Sequence, residues 1–200
     1  MKLLLASNNA KKRRELERIL EGTGLEVLTP GDTGIELDPD ECGSTFAENA
    51  RIKALEFAEV FDGPVLADDS GLSVDALDGR PGVHSARYAG EGADDEANRR
   101  RLLEELADTP TARRTARFEC HVVLARGAEV LAEAHGACEG SIIESERGDG
   151  GFGYDPLFLH GPNGLTFAEL PADRKDGISH RGRALRELSP ELRALTRQEA

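Results

Sequence analysis

A short apolar run, Lys2-Leu3-Leu4-Leu5-Ala6, stops at Ser7-Asn8-Asn9 and gives way at once to a helical pattern with Leu16, Ile19 and Leu20 on one face. A buried strand that hands over to a helix within three residues is the repeating step of folds that mix strands and helices in one domain. The step recurs. Gly22 and Gly24 end the first helix, a second strand is expected near Leu25 to Leu28, and Thr45-Phe46-Ala47-Glu48 has the T-x-x-E form of a capping box that opens a helix to about Val60. Gly63-Pro64 breaks that helix before a third strand, Val65 to Asp68, where Gly71 is expected to turn the backbone and leave Asp68 and Asp69 exposed at a strand tip. Asp94 or Asp95 can cap a helix running to about Ala107.

From Thr115 the period changes. Ala116, Phe118, Cys120, Val122 and Leu124 alternate with more polar residues, and Arg126-Gly127 turns the chain into Glu129 to His135, which predicts an antiparallel hairpin. Further strands are expected near Ser141 to Glu144 and Pro156 to Leu159, and Ser179 is expected to cap a carboxy-terminal helix carrying Leu185, Leu188 and Leu192. The pattern predicts a mixed α/β fold, read as a single domain over residues 1–200.

Composition narrows the function. A formal charge of −13 opposes non-specific attraction to DNA, RNA or anionic lipid, so nucleic acid and membrane are poor partners, although a local basic site could hold a small polyanion. No apolar stretch approaches a membrane span, and the amino terminus turns polar at Ser7, too early for a signal peptide. A soluble, cytoplasmic protein is expected. Cys42, Cys120 and Cys138 are odd in number and lack C-x-x-C spacing, which argues for free thiols rather than a disulfide framework or a zinc site.

Four clusters carry possible chemistry. Ser7-Asn8-Asn9-Ala10-Lys11-Lys12 lies between the first strand and first helix, where free N–H groups, the positive helix end and two lysines could grip phosphate oxygens without a P-loop. Asp68 and Asp69 should diverge in direction along a strand, and with Asp40 or Glu41 they form an oxygen-rich set suited to Mg²⁺, which takes one or two carboxylates, waters and substrate phosphates. Lys53 stands on the helix that follows the acidic loop. Phe152-Gly153-Tyr154-Asp155 offers a ring flanked by glycines and an acceptor for N–H groups on a base edge, and Ser179-His180-Arg181-Gly182 offers donors beside a helix start. His84, His121, His135 and His160 show no metal-ligand spacing.

Taken in order, SNNAKK at Ser7 to Lys12, TFAENARIKA at Thr45 to Ala54, LADDSGLSVDALDGRPGVHSARYAG at Leu66 to Gly90, GFGYDPLF at Gly151 to Phe158 and SHRG at Ser179 to Gly182 resemble the inosine/xanthosine triphosphate pyrophosphatase family over essentially the whole chain. The resemblance implies an elongated mixed sheet flanked by helices, two lobes around a central nucleotide-binding cleft, and a homodimer. It implies hydrolysis of non-standard purine nucleoside triphosphates (ITP, dITP, XTP) to the monophosphate and pyrophosphate. By the same resemblance Ser7, Asn8, Asn9, Ala10, Lys11, Lys12 and Lys53 hold the triphosphate, and Asp40 and Asp69 bind Mg²⁺. Asp69 also accepts a proton from water, and Ser70, Phe152, Gly153, Tyr154, Asp155, Lys175, His180 and Arg181 contact substrate. Family members often carry Glu where Asp40 stands, which leaves Glu41 as a possible substitute. Asp68 is assigned an electrostatic role beside Asp69. A nucleotide-sensing module without turnover and a phosphomonoesterase releasing orthophosphate are the competing readings.

Overall fold

The structure is a computed structural model, and it describes residues 1–161 and 164–197. Among these, strand β1 (Lys2–Leu5) leads through Ser7-Asn8-Asn9 into helix α1 (Ala10–Ile19), followed by β2 (Glu26–Leu28), a single turn α2 (Pro30–Thr33) and α3 (Phe46–Val60). Next come β3 (Val65–Val74), α4 (Asp95–Glu105) and the long strands β4 (Thr115–Arg126) and β5 (Glu129–Ile142). The short strands β6 (Phe158–His160) and β7 (Leu165–Thr166) precede α5 (Ala172–Ile178), α6 (His180–Glu187) and α7 (Ser189–Arg197). Seven strands form one open sheet in the order β2-β1-β3-β4-β5-β6-β7. β1 pairs in parallel with β2 and β3, whereas β5, β6 and β7 pair antiparallel, so the sheet is mixed as expected. Gly127 (φ +57°) and Ala128 join β4 to β5, a connection short enough for a hairpin between antiparallel neighbours.

The residues group into two compact units. The first takes Met1–Asp69, Cys120–Gly136 and the chain from Arg181 on; the second takes Ser70–Glu119 and Ala137–His180, so β3, β4 and β5 each contribute to both. In the first unit successive strand residues enter different cores. Leu3, Leu5, Leu66, Val122 and Leu124 pack with Leu16 of α1 and Leu20 that caps it, Leu185 of α6 and Leu192 of α7. Leu4, Val65, Ala67, Val123 and Ala125 pack with Ala50, Ala54, Phe57 and Ala58 of α3. The sheet is therefore covered on both faces, and the alanine stripe lets α3 lie close. Fully burying one of these large side chains contributes roughly 1.5–3 kcal/mol. In the second unit Leu72, Val74, Leu102, Phe118, Cys138, Ile142, Tyr154, Phe158 and Phe167 make one core.

Helix α3 starts where its capping box predicts. Thr45 Oγ1 accepts from the Glu48 N–H at 3.2 Å, and Glu48 Oε2 accepts from the N–H groups of Thr45 (3.2 Å) and Ser44 (2.7 Å). Asp94, likewise, caps α4 by accepting from the Ala97 N–H at 2.8 Å.

Three sequence expectations need correction. β3 does not end at Asp68: it runs to Val74, because Leu72 and Val74 bury in the second unit's core and continue the strand past Gly71. Asp68 and Asp69 consequently lie mid-strand and buried, not exposed at a tip. The strands expected at Glu129 to His135 and Ser141 to Glu144 are one, β5. The carboxy-terminal helix is two, because Leu188 closes α6 and Ser189-Pro190 starts α7.

Candidate active site

The first unit gathers its charged groups on both faces of β3. At the end of β1, Asn9 caps α1, and its Oδ1 accepts from the N–H groups of Lys11 (2.9 Å) and Lys12 (3.2 Å). Ser7 Oγ accepts from the Asn9 N–H at 3.2 Å, and Asn8 Oδ1 accepts from the Gly31 N–H at 2.9 Å. Two of the N–H groups that the sequence suggested were free for phosphate are thus taken by Asn9. That leaves the side chains and the helix dipole as the features here that could attract an anion. Lys11 is exposed, while Lys12 turns inward.

Asp68 faces α1 and α6. Its Oδ2 lies 3.0 Å from Lys12 Nζ and accepts from Arg181 Nε (3.2 Å) and Nη2 (3.0 Å). Arg181 Nη1 donates in turn to Glu15, and Asp68, Arg181 and Glu15 are all buried. Burial opposes the charge on Asp68, but Lys12, Arg181 and Lys53 overcome it and hold the carboxyl far below its ordinary range. Arg181 resists losing its proton: burial works against the cation, and Asp68 and Glu15 outweigh it.

One residue on, Asp69 faces α3. Asn49 Nδ2 donates to Asp69 Oδ2 at 3.1 Å, and Lys53 Nζ lies 3.8 Å from Oδ1. Lys53 also pairs with Glu41 at 3.1 Å. Here burial wins. Together with repulsion from Glu41 it raises the Asp69 pKa despite the attraction of Lys53 and Lys12. Two adjacent aspartates are therefore driven apart: one is a fixed anion and the other has raised proton affinity, the pattern that divides electrostatic and acid–base roles between carboxyls.

The metal expectation is tested by the donor set. Asp69 and Glu41 both approach Lys53, whereas Asp40 is exposed and its carbonyl accepts the Cys42 N–H at 2.8 Å. Among the described residues no group of three or more His, Cys, Asp or Glu side chains could hold a metal ion. Two oxygen donors without a closed cage suit Mg²⁺, which completes its shell with waters and substrate phosphates. Among the described residues Cys42, Cys120 and Cys138 form no disulfide, and burial pushes the Cys120 thiol up to about 12, so it is inert as a nucleophile.

The second unit builds a different centre on the loop Gly151 to Asp155. Asp155 Oδ2 accepts from the Phe152 N–H (2.7 Å) and from Lys175 Nζ (2.7 Å). Lys175 sits 4.9 Å from the Phe152 ring centroid, a cation–π distance, so one buried lysine supports both the acceptor and the ring. Gly151 makes the loop possible: φ is +70°, and a Cβ there would lie 2.0 Å from Asp155 Oδ2. Gly153 is held at both ends, its N–H by Asp95 and its carbonyl by Arg99, each at 2.9 Å. The Tyr154 hydroxyl donates to the Ser85 carbonyl at 2.9 Å. His180 is buried and stacks on Phe118, with centroids 4.8 Å apart and planes 11° from parallel. Ser70 is half-buried in β3.

The structure places Ser7 to Lys12, Asp40, Lys53 and Asp69 in one unit and Ser70, Phe152 to Asp155, Lys175 and His180 in the other. Arg181, the other donor expected to contact substrate, is engaged by Asp68 and Glu15 and falls in the first unit. Glu15 and Asn49 were not singled out from sequence. Helical spacing could have found both, since Glu15 stands three residues after Lys12 on α1 and Asn49 four before Lys53 on α3.

Fold and site together define an open-sheet α/β protein with a carboxylate–lysine centre. The chain belongs to the Ham1 family, whose model matches residues 3–191. A dITP/XTP pyrophosphatase of Methylococcus capsulatus is 51% identical over 98% of each chain, and one of Desulforamulus reducens is 49% identical over 93% of this chain and 92% of its own. A HAM1 protein from Coxiella burnetii superposes with a TM-score of 0.86 at 40% identity, covering 96% of this chain and 98% of that one.

Proposed function

We propose that this protein is a nucleoside triphosphate pyrophosphatase that hydrolyses non-standard purine nucleotides, dITP, XTP and ITP, to the monophosphate and pyrophosphate. The relatives named dITP/XTP pyrophosphatase support the substrate class. The observation that carries the chemistry is the placing of Asp68 and Asp69 on opposite faces of β3, Asp68 against Lys12 and Arg181 and Asp69 against Asn49 and Lys53. Asp69, with its raised proton affinity, takes the proton of the water that attacks the α-phosphorus, and the bond to the bridging oxygen breaks to release pyrophosphate. Lys12 and Lys53, with Ser7, Asn8, Asn9, Ala10 and Lys11 around them, bind the triphosphate and offset charge on the departing pyrophosphate. Asp69 and either Asp40 or Glu41 hold Mg²⁺, with Glu41 favoured by its approach to Lys53. When bound, the ion neutralises phosphate charge.

Phe152 stacks on the base, Asp155 with Lys175 and His180 read its polar edge, and Ser70, Gly153 and Tyr154 line the nucleoside. Arg181 acts through Asp68. A 6-oxopurine matches these donors and its N1 hydrogen matches an acceptor; adenine reverses both, leaving buried groups unpaired at roughly 1–3 kcal/mol each. Cytoplasmic nucleotide pools are the natural setting for such an activity, and no helix among the described residues is long and apolar enough to cross a membrane. A homodimer is proposed from the family resemblance, to be checked by sedimentation.

The test is product analysis with Mg²⁺ and dITP, XTP and dATP in heavy-oxygen water. Pyrophosphate release, label in the monophosphate and a large preference for dITP and XTP are expected. Orthophosphate release, or label confined to pyrophosphate, would exclude attack at the α-phosphorus. Equal turnover of dITP and dATP would defeat the base assignment.

A further inference from the structure

Asn49 is wholly buried on α3, and both ends of its carboxamide are engaged. Nδ2 donates to Asp69 Oδ2 at 3.1 Å, and Oδ1 accepts from the Gly43 N–H at 2.8 Å. A half-turn of the amide would set the NH₂ against an N–H and the oxygen against a carboxylate, so a single orientation satisfies both partners. The acidic loop reaches this amide because residue 43 is glycine: a Cβ there would lie 2.6 Å from Asn49 Oδ1 and 2.7 Å from Glu48 Cβ. Its next residue is pinned as well, since Ser44 donates through N–H (2.7 Å) and Oγ (2.9 Å) to Glu48 Oε2. Glu41, two residues before Gly43, approaches Lys53 on the same helix, one turn after Asn49. A closed circuit results, from Asp69 to Asn49, through Gly43 to Glu41, and through Lys53 back to Asp69.

We propose that Asn49 is a positioning residue that couples the acidic loop to Asp69, fixing the carboxylate's orientation and its spacing from Glu41, and so the pair's capacity for a divalent cation. The inference rests on the reading of Asp69 as a metal-binding base. The neutral amide suits this task. It can donate to one carboxylate and accept from the loop without adding a third negative charge beside Asp69 and Glu41, where an aspartate would repel both and lose the donor.

Asn49→Ala, Asn49→Asp and Gly43→Ala would be compared with the full wild-type chain by hydrogen exchange over residues 41–44, by Mn²⁺ titration followed by electron paramagnetic resonance, and by dITP hydrolysis. Asn49→Ala is expected to speed exchange across the loop, and to weaken Mn²⁺ binding and lower kcat by about 10- to 100-fold, with KM for dITP changed far less. Asn49→Asp keeps an acceptor for Gly43 and should leave exchange near wild type while kcat falls. Gly43→Ala leaves Asn49 in place and should loosen the loop and lower kcat, which keeps the proposal testable if Asn49→Ala does not fold. Wild-type exchange together with Mn²⁺ affinity within twofold in folded Asn49→Ala would overturn the proposal, as would a wild-type protein that binds no Mn²⁺. If wild type does not hydrolyse dITP, the proposed function fails while the exchange and Mn²⁺ comparisons still decide the role of Asn49.

Discussion

Asp68 and Asp69 are separated by one backbone step, and that step carries them from a site ringed by Lys12 and Arg181 to one where burial outweighs its nearest cation. The divergence was legible in the sequence, because side chains alternate along any strand. Which aspartate met which partners was not, since Arg181 and Glu15 are remote from β3 in the chain and an Asp-Asp pair does not say which face holds the cations. Their burial was misread for a related reason: Gly71 looks like a turn until Leu72 and Val74 find a core. The residue-level prediction concerns the base. Asp69→Asn keeps shape and removes proton acceptance, so kcat for dITP should fall by roughly 10²- to 10⁴-fold with the far-UV spectrum unchanged. A folded variant with activity near wild type would remove Asp69 from the reaction.

At the level of elements, two segments carry the candidate chemistry by different means. Helix α3 is specified locally: a reciprocal cap at Thr45 and Glu48, an alanine stripe toward the sheet, and Asn49 and Lys53 spaced to face the same strand. Its bounds were legible for that reason, from the cap at Thr45 to the end at Val60, although the part played by Asn49 was not. The loop at Gly151 to Asp155 is specified by a distant lysine, and the sequence disclosed its glycines and aromatic ring but not the Lys175–Asp155 bond that holds them. Helix α5, which supplies that lysine, went unread because Pro171 before it and Gly177 within it interrupt the periodicity. Gly151→Ala tests the loop. A methyl group has no room beside Asp155 and a left-handed φ strains any L side chain, so KM for dITP should rise with a smaller change in kcat, and the melting temperature should fall. Unaltered KM and melting temperature would show that the loop accommodates a Cβ elsewhere.

For the whole molecule, the buried charges couple stability to pH. Asp68 has a depressed folded pKa, so its contribution is present above the unfolded value of about 3.9 and is lost as pH falls through the folded one. Asp69 runs the other way, its contribution present below that unfolded value and lost as pH rises through the raised folded one. Asp68→Asn leaves Lys12 and Arg181 without their common anion and should cost about 3–5 kcal/mol at pH 7. It should also flatten the fall in stability between pH 5 and pH 3. Urea unfolding of both proteins at pH 7, 5 and 3 checks this, and parallel curves would mean that Asp68 is not the group that titrates. The central position of β3, between β1 and β4 and covered on both faces in the first unit, carries one more consequence. The two aspartates are chemically interchangeable, and what tells them apart is odd or even count along the strand. Deleting one residue upstream within β3 would move Asp69 into the cation-locked seat and put Ser70, which has no carboxylate, in the proton-accepting one. Division of labour in this protein is thus written in parity, so its sensitivity to a single insertion or deletion in β3 should far exceed its sensitivity to swaps of one apolar residue for another there.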